Sequence, residues 1–306
     1  MTLAVYTFAD EGYVPAVAGL INSIRRQGFK GIIHVGSPEP LSIADQLRED
    51  IALHVIGADS YWSGNRKAEL LLTHPSERFI FLDADIIISD STFLNRMNEW
   101  VSISPVVAVE ALIASVDYRR HMWAKRLGRT PRPDKWPCHY FNSGLFGGIM
   151  ERDRPLLKAW DSEIRKVLTP PGALLSDIDF PFPDQDVLNA VLQDWEPQPI
   201  GIGHPDIWAA AWPHNPFFHM GTFKQAAVLH CTGQQKPWKI IQVPSRTPSP
   251  YDLAWYEHVV VQPRPVQIKI AFSLPVRSWF EQRRWLRPAL WARHTARRIL
   301  RMTSPL

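Results

Sequence analysis

The chain has 306 residues, 45% of them hydrophobic, and a net charge of +4. That is enough apolar material for one large α/β domain with an appendage, and no nucleic-acid reading motif accompanies the charge. Two cysteines, Cys138 and Cys231, do not make a disulfide framework, and a reducing compartment is expected. No basic n-region precedes the first strand and no apolar stretch is long enough to span a bilayer, so a cytoplasmic location is expected.

The first unit reads strand, loop, helix, strand: Ala4 to Phe8, Asp10 to Pro15, Ala16 to Gln27, Gly31 to Val35. This opens a mononucleotide-binding α/β half, whose first loop faces the ligand crevice. Asp10-Glu11-Gly12-Tyr13 fills that loop, where plain turn chemistry would also account for it. A strand at Ala52 to Ile56 and a helix at Ala68 to Leu72 follow, with Lys67 at the helix start. A cation there has the wrong sign for the helix dipole, so Lys67 calls for a phosphate or carboxylate partner, with Arg66 the weaker candidate.

Phe79-Ile80-Phe81-Leu82 reads as a buried central strand and ends in Asp83-Ala84-Asp85. Carboxylates at i and i+2 of an extended chain point the same way and repel unless a cation or proton lies between them. A divalent metal is the expected answer, although a solvated strand end with a capping Asp would show the same string. Val106 to Ala111 brings Glu110 toward the same end of the sheet. Val116 to Pro137 is basic and aromatic, suited either to an anionic acceptor or to a solvated helix face.

His139-Tyr140-Phe141 starts a further strand, followed by Asn142, whose amide suits a sugar hydroxyl because it both donates and accepts. Gly144, Gly147 and Gly148 mark close approach of backbone to a ligand or a bulge, so Gly147 and Gly148 bear on the pocket floor. Asp184-Gln185-Asp186 opens a helix over Val187 to Leu192, where Asp184 would also serve as a cap. Ala226 to Leu229 forms a strand ending at His230. A short helix near Tyr251 to His258 precedes Val261 to Leu274, read as a linker. The expected division is 1–260 for the main domain and 261–306 for linker and tail.

The tail carries most of the positive charge: eight arginines and one acid lie between Arg277 and Arg301, leaving the remainder near −3. Trp279, Leu286, Leu290, Ala296 and Leu300 recur at roughly helical spacing, with Phe280, Trp285 and Trp291 added. Arginine with tryptophan and leucine suits the inner face of an anionic membrane. Packing of the aromatic face on the main domain is the competing expectation.

Four segments in this order, Asp83-Ala84-Asp85, Phe141-Asn142-Ser143-Gly144, Asp184-Gln185-Asp186 and His230-Cys231-Thr232-Gly233-Gln234-Gln235-Lys236-Pro237-Trp238, resemble retaining nucleotide-sugar glycosyltransferases of family 8, the group of glycogenin and the bacterial lipopolysaccharide galactosyl- and glucosyltransferases. The resemblance runs from Ala4 to about Tyr256. It implies a GT-A-like single α/β domain with a mixed, mostly parallel Rossmann-like sheet, plus a basic C-terminal helical tail. It implies transfer of a hexose from a UDP-sugar to a glycan or glycolipid with retention.

By that resemblance Asp83, Asp85 and His230 would hold the metal, and two carboxylates with one imidazole suit Mn2+ better than Mg2+. Phe8, Ala9, Asp10 and Tyr13 would meet the nucleoside, and Lys67, Ala84, Gly233 and Lys236 the rest of the donor, with Lys236 on the β-phosphate. Asp184 and Asn142 would hold the sugar and Gln185 would face the anomeric carbon, with Asp186 the nearest alternative nucleophile. Two other readings stand beside this one: a haloacid-dehalogenase-type phosphatase, which also opens on D-x-D, and a non-catalytic sugar-nucleotide-binding protein at a membrane.

Overall fold

The structure is a computed structural model that describes residues 3–57, 63–110, 117–130, 139–168, 179–193, 195–204, 206–210, 226–232, 235–246 and 248–285. Its centre is a seven-stranded sheet in the order β3-β2-β1-β4-β7-β6-β8. The strands are β1 (Leu3–Phe8), β2 (Ile33–Ser37), β3 (Ile51–Val55), β4 (Arg78–Leu82), β6 (Val106–Val109), β7 (Phe141–Ile149) and β8 (Ile200–Ile202). All neighbours pair parallel except β7, which runs antiparallel to both β4 and β6. A smaller sheet, β5 (Ile86–Ile88), β10 (Val228–His230) and β9 (Trp208–Ala210), has β10 in the middle.

β4 has no polar face because both of its faces are covered. Ile80 and Leu82 enter one core with α1 (Val14–Arg26) and α3 (Phe93–Ile103), whereas Phe79 and Phe81 enter another with α2 (Lys67–Thr73), α5 (Met150–Val167) and α6 (Pro183–Leu192). α4 (Asp117–Arg126) adds Trp123 to the second core. Chain order reverses between β1 and β4, so the crevice beyond their carboxyl ends lies at a switch point, where open α/β sheets take ligands. The loop from Asp10 and the Asp83 turn both open there.

One expectation is corrected. Gly147 and Gly148 lie opposite Ile80 and Phe79, toward the start of β4 and away from the crevice. A Cβ on Gly147 would meet Val101 and Met97 of α3, and one on Gly148 would meet the Asp153 carboxylate, so these glycines make room for packing and line no pocket. The segment after Val261, read as a linker, is held against the main domain at Val266. Asn22 accepts from the Val266 N–H at 2.9 Å and donates to the Val266 carbonyl at 2.8 Å, binding it to α1.

At the C-terminal end, α7 (Pro250–Tyr256) and α8 (Leu274–Trp285) enclose a third core. The Tyr256 and Phe280 rings stack at 4.6 Å, and Trp279 donates to the Arg246 carbonyl at 3.1 Å. Trp279 and Phe280 are buried, so neither is a wedge for a membrane surface. Leu286, Leu290, Trp291, Ala296 and Leu300 lie outside the described residues.

At the opposite edge, Tyr6, His34, His54 and His74 form a ladder of stacked rings, with His34 Nδ1 2.8 Å from His54 Nε2. Burial, with His54 and His74 adjacent, pushes the His34 imidazole down to about 4. Burial and the Arg26 charge do the same to His258. Both groups are neutral in the folded state and regain protons more readily when unfolded, so their stabilisation is full above about pH 6.5 and is lost as pH falls toward 4. Denaturant melts should show this fall, and His34→Gln should remove roughly 1–2 kcal/mol of it, the full shift being discounted for water at the outer rings. An unchanged slope in that variant would contradict the account.

Candidate active site

The crevice is built by backbone pairing before any side chain acts. β4 ends at Leu82, and the Asp83 N–H donates to the Gly144 carbonyl at 2.8 Å, which pins the turn to β7. β5 and β10 run antiparallel with Ile86 opposite His230, and the Cys231 N–H donates to the Asp85 carbonyl at 3.0 Å. These pairings bring together residues nearly 150 positions apart. His230 Nε2 lies 3.2 Å from Asp85 Oδ1 and 3.6 Å from Asp83 Oδ2. One ligand atom from each of the three residues lies within 4.8 Å of the others, the single such grouping among the described residues.

The donor set fits a divalent cation, and so does the surrounding packing. A Cβ on Gly144 would stand 2.5 Å from His230 Cε1 and 2.9 Å from Asp83 Oδ2, so only glycine leaves those ligands in place. Ala84 is buried in the core, and Asp83 to Ile86 form a turn closed by the Ile86 N–H on the Asp83 carbonyl at 3.1 Å, so a turn, and not the expected extended alternation, aims both carboxylates at His230. His230 Nδ1 has no hydrogen-bond partner among the described residues, and the Trp208 ring leans on the imidazole at 5.3 Å.

Two lysines enter the same space. Lys67 Nζ lies 2.7 Å from Asp83 Oδ1 and 2.8 Å from Asp184 Oδ2, and it also reaches Ser143 Oγ at 3.2 Å. The carboxylate partner expected for a cation at this helix start is therefore a pair of aspartates. Burial alone would lower the Lys67 ammonium, but Asp184 and Asp83 outweigh it and hold its pKa above the ordinary value. Lys236 Nζ lies 2.6 Å from Asp85 Oδ2 and donates to the Cys231 carbonyl. Against desolvation, His230 and Lys236 hold the Asp85 carboxyl well below the usual carboxylate range. Burial pushes the Cys231 thiol up to about 12, which leaves it protonated.

On the other side of Lys67, α6 is fastened to β7. Asn189 mimics a strand, accepting from the Phe141 N–H at 2.7 Å and donating to the Phe141 carbonyl at 2.8 Å. Ser143 Oγ donates to Asp184 Oδ2 at 2.6 Å, and the Ser143 N–H is 3.4 Å from Gln185 Oε1. Asn142 donates to Glu110 at 2.7 Å and accepts from the Gly144 N–H at 2.8 Å. Asp83, Asp184, Gln185 and Asn142 thus share one connected polar wall.

Asp186 is not part of that wall, which corrects its place as an alternative nucleophile. Its carboxylate is fully buried and accepts from Tyr140 Oη at 2.7 Å, Arg119 Nη1 at 2.9 Å and the Phe182 N–H at 3.0 Å. Burial pushes it up to about 6 despite these donors. Arg66, the weaker basic candidate, is tied to Glu69 at 2.8 Å and to the Ile56 carbonyl at 2.9 Å. The Phe8 ring packs in the core with Arg66 over it, and Ala9 is buried, so neither side chain faces the crevice. Asp10 is half-buried at the mouth, and the Tyr13 ring meets Trp238 edge-on at 5.7 Å. Gly233 lies outside the described residues.

Sequence reasoning missed Ser143, Asn189 and Arg119. Ser143 stood inside a quoted motif but carried no sign of its partners. Asn189 sits five residues beyond Asp184 on the same helix, and a polar residue in an otherwise apolar run was the one available signal.

No protein-family model matches the chain, and no curated protein does. Among solved structures it is similar to the WbbM bifunctional glycosyltransferase, with a TM-score of 0.54 and 13% identity over 84% of this chain and 51% of that one. The chain thus spans about half the length of WbbM. It also matches the galactosyltransferase LgtC in complex with donor and acceptor sugar analogs, with a TM-score of 0.46, 14% identity, and 77% and 89% of the two chains covered. An active-site mutant of LgtC matches with a TM-score of 0.48, 15% identity and the same 77% and 89%. The mixed sheet and its helical layers are the GT-A fold of solved glycosyltransferases, as the family-8 resemblance implied.

Gly144→Ala tests the packing argument. It should abolish stabilisation by divalent cations, because His230 or Asp83 must move, and should lower stability by roughly 1–3 kcal/mol. Melting with and without Mn2+ reads both effects, and a retained metal response would contradict the geometry.

Proposed function

We propose that this protein is a metal-dependent retaining glycosyltransferase that moves a hexose from a UDP-sugar to a glycan or glycolipid. One observation carries the reading: Lys67 joins Asp83, at 2.7 Å, to Asp184, at 2.8 Å, so the group suited to a metal and the group suited to a sugar are walls of one crevice. The GT-A fold supports sugar transfer over phosphatase chemistry.

Tyr13 and Asp10 at the mouth would receive uracil and ribose. Asp83, Asp85 and His230 would hold Mn2+, with Mg2+ as the alternative, which when bound supplies Lewis-acid stabilisation to the departing diphosphate. Lys236 has three N–H donors and spends two on Asp85 and the Cys231 carbonyl, leaving one for a β-phosphate oxygen. Asp184 and Asn142 would orient sugar hydroxyls.

Gln185, the group that the resemblance puts at the anomeric carbon, is a neutral amide and a poor nucleophile, and Asp186 is enclosed, which favours a route without double displacement. The acceptor oxygen would therefore bond to the anomeric carbon on the face from which UDP departs, while the carbon–phosphate oxygen bond breaks. The acceptor hydroxyl proton would pass to the departing phosphate oxygen. Gln185 Oε1 would face the positive charge on the sugar ring, where a fixed dipole is most effective.

Among the described residues, no helix is long and apolar enough to cross a membrane. With Trp279 and Phe280 committed to packing, contact with the cytoplasmic face of a membrane would fall to residues 286–306.

A panel of UDP-sugars with and without Mn2+ tests the reading. The true donor should raise the melting temperature by roughly 5 °C at about 100 times its Kd, and only with metal. Asp85→Ala should lose that response and the transfer activity, and the product should keep the donor's anomeric configuration. Metal-independent binding, or phosphate release without transfer, would refute it.

A further inference from the structure

Tyr13, the ring at the crevice mouth, is held by residues far from it in the chain. Trp238 meets it edge-on at 5.7 Å, and Lys239 Nζ stands over it at 5.4 Å from the ring centre. Both come from the short turn Pro237–Lys239 that follows β10. Trp238 Nε1 is buried and makes no hydrogen bond among the described residues, so packing alone sets where that indole lies. It packs against two cores at once, the one shared by β1 and α1 and the one enclosed by α7 and α8.

Behind Trp238 stands Trp255 of α7, which is fully buried. Its ring meets Trp238 at 5.8 Å, and its Nε1 donates at 2.9 Å to the carbonyl of Pro15, two residues beyond Tyr13 and 240 positions away from Trp255. A Cβ on Gly19 would stand 2.9 Å from Trp255 Cδ1, so the bare backbone of α1 is what lets the indole lie this close. One side chain therefore braces Tyr13 by two routes, through the backbone that follows it and through the ring that leans on it. Trp255 is itself seated against Phe280 of α8 at 6.4 Å, and Phe280 stacks on Tyr256 at 4.6 Å. Resting on the reading of Tyr13 as a nucleoside contact, we propose that Trp255 is a positioning residue for the donor's base, and that Phe280 makes nucleotide affinity depend on the seating of α8.

Trp255 and Phe280 are both enclosed, so they act through Tyr13 and not on the ligand. A ring already fixed in place loses little freedom when a base stacks on it, and the affinity gained is that of preorganisation. The diphosphate end of a nucleotide asks for the cation site and Lys236, whereas the base asks for Tyr13. Loosening Trp255 should weaken one end and spare the other. A side chain that only held the fold together would move both or neither.

Calorimetry on the full chain at constant Mn2+, with UDP and with inorganic pyrophosphate, separates the two ends without any transfer assay. The unaltered protein should bind UDP more tightly than pyrophosphate. Trp255→Phe keeps a ring in the core and removes the donor to Pro15; it should weaken UDP by about threefold to tenfold, the range spanned by one lost hydrogen bond, and leave pyrophosphate within about twofold. Phe280→Leu keeps that hydrogen bond and loosens the seat of Trp255. It should weaken UDP in the same direction by less, and it carries the test if Trp255→Phe does not fold. Unchanged UDP affinity in the variants, or equal losses of UDP and pyrophosphate, would overturn the proposal while leaving Tyr13 as a nucleoside contact. An unaltered protein that binds UDP no more tightly than pyrophosphate, or binds neither, would overturn that contact and this inference together.

Discussion

Three aspartates, Asp83, Asp85 and Asp184, crowd one crevice, the last two of them buried, and the rest of the structure answers to that repulsion. Leaving one such charge buried and unpaired costs about 3–5 kcal/mol. Lys67 and Lys236 offset it as buried ammonium groups at 2.6 to 2.8 Å from the carboxylates they serve. These contacts require α2, α6, the β4 turn and the loop after β10 to reach one point together. The site is complete only where these four elements meet.

Such a site can be kept only by a stiff frame. The frame comes from backbone pairing: β4 with β7 carries Asp83 past Gly144, and β5 with β10 carries His230 to Asp85. Side chains complete it where strands end, Asn189 clasping Phe141 and Ser143 bonding Asp184. In the proposed reading, the crevice would take a cation at the Asp83, Asp85 and His230 end and sugar hydroxyls at the Asp184 and Asn142 end. A nucleotide-sugar diphosphate has that polarity, with anionic oxygens at one end of the scissile bond and a sugar at the other.

Much of this was legible in the chain itself. The apolar run ahead of Asp83 and the one ahead of His230 mark buried strands, and strand ends are where an α/β sheet presents its chemistry. Six strands of the large sheet, β1, β2, β3, β4, β6 and β7, could be read from such runs, whereas β5, β8 and β9, of three residues each, were not foreseen. Illegible were the partners that depend on distant segments. Arg119 encloses Asp186 across 67 positions, and Lys236 meets Asp85 across 151, distances at which no local period carries information. Gly147 and Gly148 misled because a glycine in a strand signals close approach without saying of what: here it is α3 and Asp153. The arginine-rich tail misled in part, since Trp279 and Phe280 have the composition of a membrane wedge and the environment of a core.

The account stands on a single cation held jointly by Asp83, Asp85 and His230. Crystals grown with UDP and Mn2+, with diffraction recorded on either side of the manganese absorption edge, examine this directly. The account predicts one anomalous peak within bonding distance of Asp83 Oδ2, Asp85 Oδ1 and His230 Nε2, with the diphosphate on its open side. A peak elsewhere, or a diphosphate bound in this crevice with no peak at all, would contradict it.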